Sequence, residues 1–318
     1  MLQFLGRRIL QMVPVLFFVS VIIFVLINLV PGDAARLFLG EEAPPDALAA
    51  LRHQLGLDQP LHIQYLRWVG GMLHGDFGRS FKDNRPVLST LLQKLPATGE
   101  LTAGALVIAW AVAIPAGVVA AWRQRTAVDY SASAAALLGL SVPSFWFGIM
   151  LIYLFAVRLR WLPASGFTPL TQDPGTNIRA LVMPAFVLGV AQAAVVMRQL
   201  RSSMLEVLSA DYVRTAKAKG LAGLAVLARH ALRNAVIPVI TVMGIQMGTL
   251  LGGAVITEAI FAVPGLGRLA IESIYSRDYQ VLEGVVMFSA LAILVINLLV
   301  DVVYSLVDPR IKLAGVRS

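Results

Sequence analysis

Long uncharged stretches alternate with short polar ones along this chain. Six of them stand out: Ile9 to Val30, Leu101 to Trp122, Tyr130 to Val157, Ala180 to Met197, Asn234 to Thr257 and Gly284 to Val300. A bilayer crossing takes about 20 mostly apolar residues, within about 17 to 25, so each stretch can cross once. The third is longer than one crossing needs. It either tilts or carries a break at Ser141-Val142-Pro143-Ser144. The first follows Arg7-Arg8, has no small-residue cleavage site ahead of an acidic mature start, and is ended sharply by Pro31-Gly32-Asp33. It is therefore expected to be a retained span and not a removable signal. The pattern predicts an all-α integral membrane protein with six transmembrane helices.

The polar stretches have structure of their own. The segment from Pro31 to Thr98 is too long to be structureless. It offers one short helix after Pro44-Pro45-Asp46 that stops at Gly56, and a second over LHIQYLRWVGGML, with Trp68 expected at the membrane interface. GDFGRSF then turns the chain, and RPVLSTLLQKL leads to the second span. Between spans four and five, Ser209 to Gly220 reads as a short helix. Ser209 is the expected N-cap, Asp211 sits in the first turn, Lys217 and Lys219 lie near the end, and Gly220 is the stop. Helical spacing places Tyr212, Thr215, Ala216 and Lys219 on one face.

Composition confirms the medium: 58% of residues are hydrophobic, 14% are charged and the mean hydropathy is +0.77, far too apolar for a soluble domain. The formal charge of +8 is not a nucleic-acid signature, because aromatics do not interleave with the basic residues. Orientation accounts for it better. With a cytoplasmic N-terminus, the inner loops and ends carry Arg7, Arg8, Arg123, Arg125, Arg198, Arg201, Arg214, Lys217, Lys219, Arg229, Arg233, Arg310, Lys312 and Arg317, whereas the short outer loops carry Arg158, Arg160, Arg179, Arg268 and Arg277. Both termini are expected in the cytoplasm. The absence of Cys excludes disulfides, thiolate metal sites and cysteine nucleophiles.

Candidate chemistry is sparse. There is no G-x-x-x-x-G-K-[ST] phosphate loop, no H-E-x-x-H and no G-x-S-x-G. An enzyme is therefore not expected, nor a cofactor or metal held by this chain. His53, His62, His74 and His230 are too scattered to suggest a ligand cluster. In the fifth span Gly244, Gly248 and Gly252 form a small stripe that lets another helix approach, while Gln246, Thr249, Gly253 and Thr257 lie on roughly the opposite face. Polar side chains avoid lipid, so Ser141, Gln192, Gln246, Thr249 and Asn297 are candidates for lining a translocation path. Glu258 with Pro264 and Gly265 is an outer-gate candidate, the alternative being that Glu258 sits in water near Arg268. A secondary transporter driven by an ion gradient is the rival reading. It predicts buried acids at mid-membrane and inverted repeats, and neither is visible within the six stretches.

The segments DYVRTAKAKG (Asp211 to Gly220) and HALRNAVIPV (His230 to Val239) resemble the cytoplasmic EAA loop of ATP-binding-cassette importer permeases, in the dipeptide, oligopeptide, glutathione and nickel branch. Arg214-Thr215-Ala216 stands where the general pattern has Glu-Ala-Ala, Gly220 keeps its place, and the proline is displaced to Pro238. PGD, LGLDQPL, GDFGRS and Val263-Pro264-Gly265-Leu266-Gly267-Arg268 resemble the same branch, the last with Val in place of Trp. The resemblance implies a first span at 1–30, an extracytoplasmic helical segment at 31–98, a five-helix permease core at 99–307 with a coupling loop at 204–233, and a cytoplasmic tail at 308–318. It implies that Tyr212, Arg214, Thr215, Ala216, Ala218, Lys219 and Gly220 dock on an ATPase subunit. ATP and Mg would be bound by two partner ATP-binding subunits. The other implied partners are a second, related permease giving a heterodimer, an extracytoplasmic solute-binding protein and membrane lipid, in a bacterial inner membrane.

Overall fold

The structure, a computed structural model, describes residues 2–30, 36, 39 and 43–307. The sharp end expected at Pro31-Gly32-Asp33 and the tail at 308–318 lie outside the described residues. The described chain is helical, with one isolated antiparallel bridge between Arg79 and Pro86. Its α-helices of eight residues or more are α1 (Leu2–Leu29), α2 (Pro45–Leu55), α3 (Leu61–Leu73), α4 (Val87–Trp122), α5 (Ala127–Ser141), α6 (Ser144–Leu151), α7 (Pro174–Ser209), α8 (Asp211–Ala218), α9 (Arg233–Ile260), α10 (Leu266–Tyr275) and α11 (Tyr279–Val307). Two π-helical segments, Ile152–Arg158 and Val226–Leu232, continue α6 and lead into α9.

The predicted short helices have the expected limits. Gly56 ends α2 in the left-handed region, with its N–H on the Arg52 and His53 carbonyls, and α3 covers the whole of LHIQYLRWVGGML. The spanning helices run beyond their uncharged stretches, α4 and α7 to the greatest length. Both α4 and α7 run for 36 residues, because polar flanks that lipid would reject still continue the helix. The third stretch does not cross as one straight helix. α5 and the Ser144–Arg158 segment meet at 99°, so the described helices give five candidate spans, or six if the bent pair counts as one. Pro143 causes the break. It disfavours the helical region for Val142, which is extended at φ −80° and ψ 124°.

The chain divides into two compact units. One comprises Met1, Ala97–Val263 and Val295–Ser318, and the other Leu2–Pro96 and Pro264–Leu294. The first is built on α7, in which 67% of the most apolar window is buried. Asp173 caps α7, accepting from the Thr176 N–H at 3.1 Å and the Thr176 hydroxyl at 2.6 Å, with Pro174 in the first turn. The Thr176 hydroxyl, then its N–H, hold the Asp173 carboxyl below the ordinary range. Small residues let neighbours close on α7. A Cβ at Gly189 would stand 2.8 Å from the Ala105 carbonyl oxygen, and one at Gly117 would stand 3.0 Å from that of Met197. Ala109, Ala113 and Ala120 on α4 are fully buried in the same cluster as Ala193, Val196 and Leu200. Lipid tails are as apolar as leucine, so this close contact, and not escape from water, holds the helices together.

At one end of this unit the Arg201 guanidinium clasps Asp129, Nε to Oδ1 at 2.5 Å and Nη2 to Oδ2 at 2.8 Å, while the Arg125 N–H adds a bond of 2.9 Å. Asp129 is 2% exposed, so its charge relies on these donors. In the second unit Asp278 plays a comparable part. It accepts from the Ser80 hydroxyl at 2.5 Å and the Phe81 N–H at 3.2 Å, which pins the GDFGRSF turn to the start of α11.

Removing Arg201 alone strands a buried carboxylate. Arg201→Ala is expected to destabilise the detergent-solubilised chain by about 3 kcal/mol in thermal unfolding, and the double variant Asp129→Ala with Arg201→Ala by less than the single one.

Candidate functional site

Helix α8 is built on the end of α7. The Val213 and Arg214 amides donate to the Ala210 carbonyl at 3.0 and 3.2 Å, and Gly220 at φ +77° turns the chain away. Ser209 is not the N-cap. It closes α7, with its hydroxyl on the Glu206 carbonyl at 2.7 Å. The inner face carries Val213 and Ala216, buried with Val226 and packed on Val207 and Leu208 of α7. Tyr212, Arg214, Thr215, Ala218 and Lys219 are exposed. Spacing alone grouped Ala216 with Tyr212 and Thr215, but burial separates it from them. The side chains of Lys217, Arg229 and His230 lie outside the described residues. The Asn234 amide donates to the Tyr212 hydroxyl at 3.1 Å, tying α8 to the start of α9. The result is a short helix fixed by buried aliphatic contact, with a polar face carrying Arg214 and Lys219 turned outward.

Within the same unit three of the five polar span residues meet. Gln192 on α7 donates its amide N–H to the Thr249 hydroxyl oxygen at 3.3 Å, and Thr249 donates toward both the Gln246 main-chain and side-chain oxygens at 2.9 Å. The Gln192 Oε1 is buried and accepts no bond from the described residues. An unpartnered buried acceptor costs about 1 to 3 kcal/mol, so this oxygen suits a donor from water or solute. Ser141 and Asn297 do not join the cluster. The Ser141 hydroxyl returns to the Leu137 carbonyl at 2.9 Å beside the break, and Asn297 is exposed. On the opposite face Gly244 packs under Val300, where any Cβ would collide, while Gly252 has open space beside it.

Glu258 is fully buried and accepts from the Thr98 hydroxyl at 2.6 Å. Its burial rules out the solvated alternative; in the second unit Arg268 pairs with Glu272 at 2.7 Å. Its neighbours on the sequence side, Val263 and Phe261, are buried too, and the Val263 N–H bonds to the Glu258 carbonyl at 2.9 Å. Pro264 and Gly265 belong to the second unit, where Gly265 precedes α10 and its carbonyl takes the Leu269 N–H at 3.1 Å. Sequence reasoning missed Thr98, and also Thr102, whose buried hydroxyl has no partner among the described residues. Their spacing of four on a helix was the available signal. It also missed the pairing of Asn177 with Glu100 at 2.6 Å, between residues 77 apart in the chain.

Long apolar helices around a small polar cluster, with a charged helix fastened to the most buried of them, define a multi-pass membrane protein of the transport class. The chain belongs to the family described as binding-protein-dependent transport system inner membrane component, whose model matches residues 113–313. The companion model for the N-terminal part of such membrane components matches residues 1–102. It is thus an inner-membrane component of a transport system. It is 43% identical over 336 residues to the dipeptide transport system permease protein DppB of Escherichia coli K12, covering 98% of this chain and 99% of that one. Its identity to the protein of the same description from Alkalihalophilus pseudofirmus is 41% over 332 residues, covering 98% of this chain and all of that one. Among solved structures, a chain of the MetNI methionine ABC transporter in an inward-facing conformation matches with a TM-score of 0.58 at 19% identity, over 69% of this chain and 96% of that chain. That likeness is one of fold.

The two faces of α8 should respond differently to charge. Ala216→Glu is expected to open the loop to limited proteolysis and lower the amount of protein in the membrane, since it forces a carboxylate against Val213 and Val226. Thr215→Glu, on the exposed face, should leave both within about 0.5 kcal/mol of the parent.

Proposed function

We propose that this chain is the permease subunit of an ATP-binding-cassette importer that moves di- or oligopeptides, or a related small solute, across the cytoplasmic membrane. ATP is hydrolysed on separate subunits that carry ATP and Mg. The observation that carries the reading is α8: a helix of 8 residues whose inner face is locked to α7 through Val213 and Ala216, and whose outer face offers Tyr212, Arg214, Thr215 and Lys219. A partner that grips the outer face differently in its two nucleotide states biases the whole bundle, because only differential binding shifts an equilibrium. The relatives that are dipeptide transport permeases point to a peptide as the solute. Both ends of the chain and α8 lie in the cytoplasm on this reading, in keeping with the distribution of Arg and Lys.

The Gln192, Gln246 and Thr249 cluster lines the path, and the spare oxygen on Gln192 is where a solute or its water would donate. Glu258, held by Thr98, serves as an outer-gate residue. A second related permease completes the channel as a heterodimer, and an extracytoplasmic binding protein delivers the solute.

The test is reconstitution in proteoliposomes with the cognate ATPase subunits and binding protein, reading dipeptide uptake and ATP hydrolysis together. Arg214→Glu should keep the protein in the membrane and retain hydrolysis, yet lower uptake at least about tenfold, equivalent to about 1.4 kcal/mol of lost coupling. Gln246→Leu should change the relative uptake of different peptides. Uptake driven by an ion gradient with no ATPase subunit present would overturn the reading.

A further inference from the structure

In the second unit α3 leans on the last turns of α1. The Phe24 ring meets those of Tyr65 and Trp68 at centroid distances of 5.4 and 5.9 Å, and the Ser20 and Tyr65 hydroxyls share a bond of 2.8 Å. Between these helices, the GDFGRSF turn and the start of α11 lies a cavity of about 450 Å³. Arg67, Asp76, Trp68 and Glu283 are among its lining residues. Two of these groups lack partners in complementary ways. Among the described residues, Glu283, 7% exposed, accepts no hydrogen bond, and the buried Trp68 indole Nε1 has no acceptor. A buried carboxyl in that state asks for a cation that can donate, and the indole asks for an anion or other acceptor. Gly56 leaves the room that the Arg67 guanidinium occupies, since a Cβ there would collide with it. The polar walls therefore suit a ligand with an ammonium and an anionic group.

A second cavity of about 280 Å³ lies beside the first, sharing the lining residues Phe24, Asn28 and Leu61, and runs along Val21, Val25 and Leu29 of α1. Its lining is almost wholly apolar. The apolar part of α1, Leu5–Leu29, is 25 residues long. At 1.5 Å per residue that is about 37 Å, enough to cross a hydrocarbon core of about 30 Å and bring Asn28 to headgroup level. A charged chamber at headgroup depth beside an apolar groove along α1 suits the headgroup and one acyl chain of a lipid molecule.

We propose that this unit holds a zwitterionic aminophospholipid of the phosphatidylethanolamine type. Its ammonium meets Glu283 with Asp76 nearby, its phosphate meets Arg67 and the Trp68 N–H, and one acyl chain lies along Val21, Val25 and Leu29. A primary ammonium fits better than choline, whose methylated nitrogen has no N–H to give the carboxyl. The inference rests on the membrane-spanning character of α1 and not on the identity of the transported solute.

The test uses the full chain purified in detergent, with retained lipid counted by mass spectrometry and rebinding measured with phosphatidylethanolamine, phosphatidylcholine and phosphatidylglycerol. Phosphatidylethanolamine should be retained over the other two by about tenfold, the ratio set by 1.4 kcal/mol. Glu283→Gln and Trp68→Phe should each remove most of that preference without changing the melting temperature. Val25→Trp, which fills the apolar groove, should weaken retention although the charged chamber is intact, and free phosphoethanolamine should not compete. Equal retention of the three lipids, or full preference in Glu283→Gln, overturns the proposal. So does competition by free phosphoethanolamine together with an inert Val25→Trp, which would show a soluble zwitterion as the occupant.

Discussion

Close approach of helices to α7 is the constraint on which the rest of the transport unit depends. In lipid the association of helices gains little from leaving water, and the remaining terms, dispersion and hydrogen bonding, act only at short range. Gly189 beneath Ala105 and Ile108, Gly117 beneath Met197 and Leu200, and the fully buried alanines of α4 supply that approach. Larger side chains at these points would hold the neighbours off. Polar contacts then fix register at the ends: Asp129 with Arg201 at one, and Asn177 with Glu100 at the other.

A helix gripped over most of its length behaves as a stiff rod. Gln192 sits near the middle of α7, and Val207 and Leu208, the residues under α8, lie in its last turn. The 15 residues from Gln192 to Val207 span about 22 Å at 1.5 Å each. Force applied to the outer face of α8 is therefore carried to the polar cluster without an intervening loop. The bent pair α5 and Ser144–Arg158 and the π-helical segments on either side suit a bundle that must change shape elsewhere while α7 does not.

Much of this was legible in the order of residues. Gly56 and Gly220 announce their stops because glycine alone enters the left-handed region freely, and LHIQYLRWVGGML is bounded by its own turns. The break at Pro143 was legible as a possibility, but its angle was not, since proline removes a donor and restricts its predecessor without setting a direction. The full lengths of α4 and α7 were hidden, because an uncharged stretch marks where lipid is tolerated and not where the helix ends. Ala216 was assigned to the wrong neighbours for a related reason. On a helix of two turns, periodicity gives faces only roughly, and the burial of Val213 and Ala216 is decided by Val226, thirteen residues beyond Val213. Pairings such as Glu258 with Thr98, 160 residues apart, carry no local signal at all.

The central claim is that α7 acts as a rigid link between α8 and the Gln192 cluster. Placing glycine at both Ser202 and Ser203 would soften the rod between them while leaving α8 and the cluster themselves unaltered. The decisive quantity is the amount of solute moved per ATP hydrolysed in proteoliposomes containing the partner subunits. The account predicts that this ratio falls at least about tenfold while hydrolysis continues, a loss of about 1.4 kcal/mol in coupling. A ratio equal to that of the parent chain would contradict it.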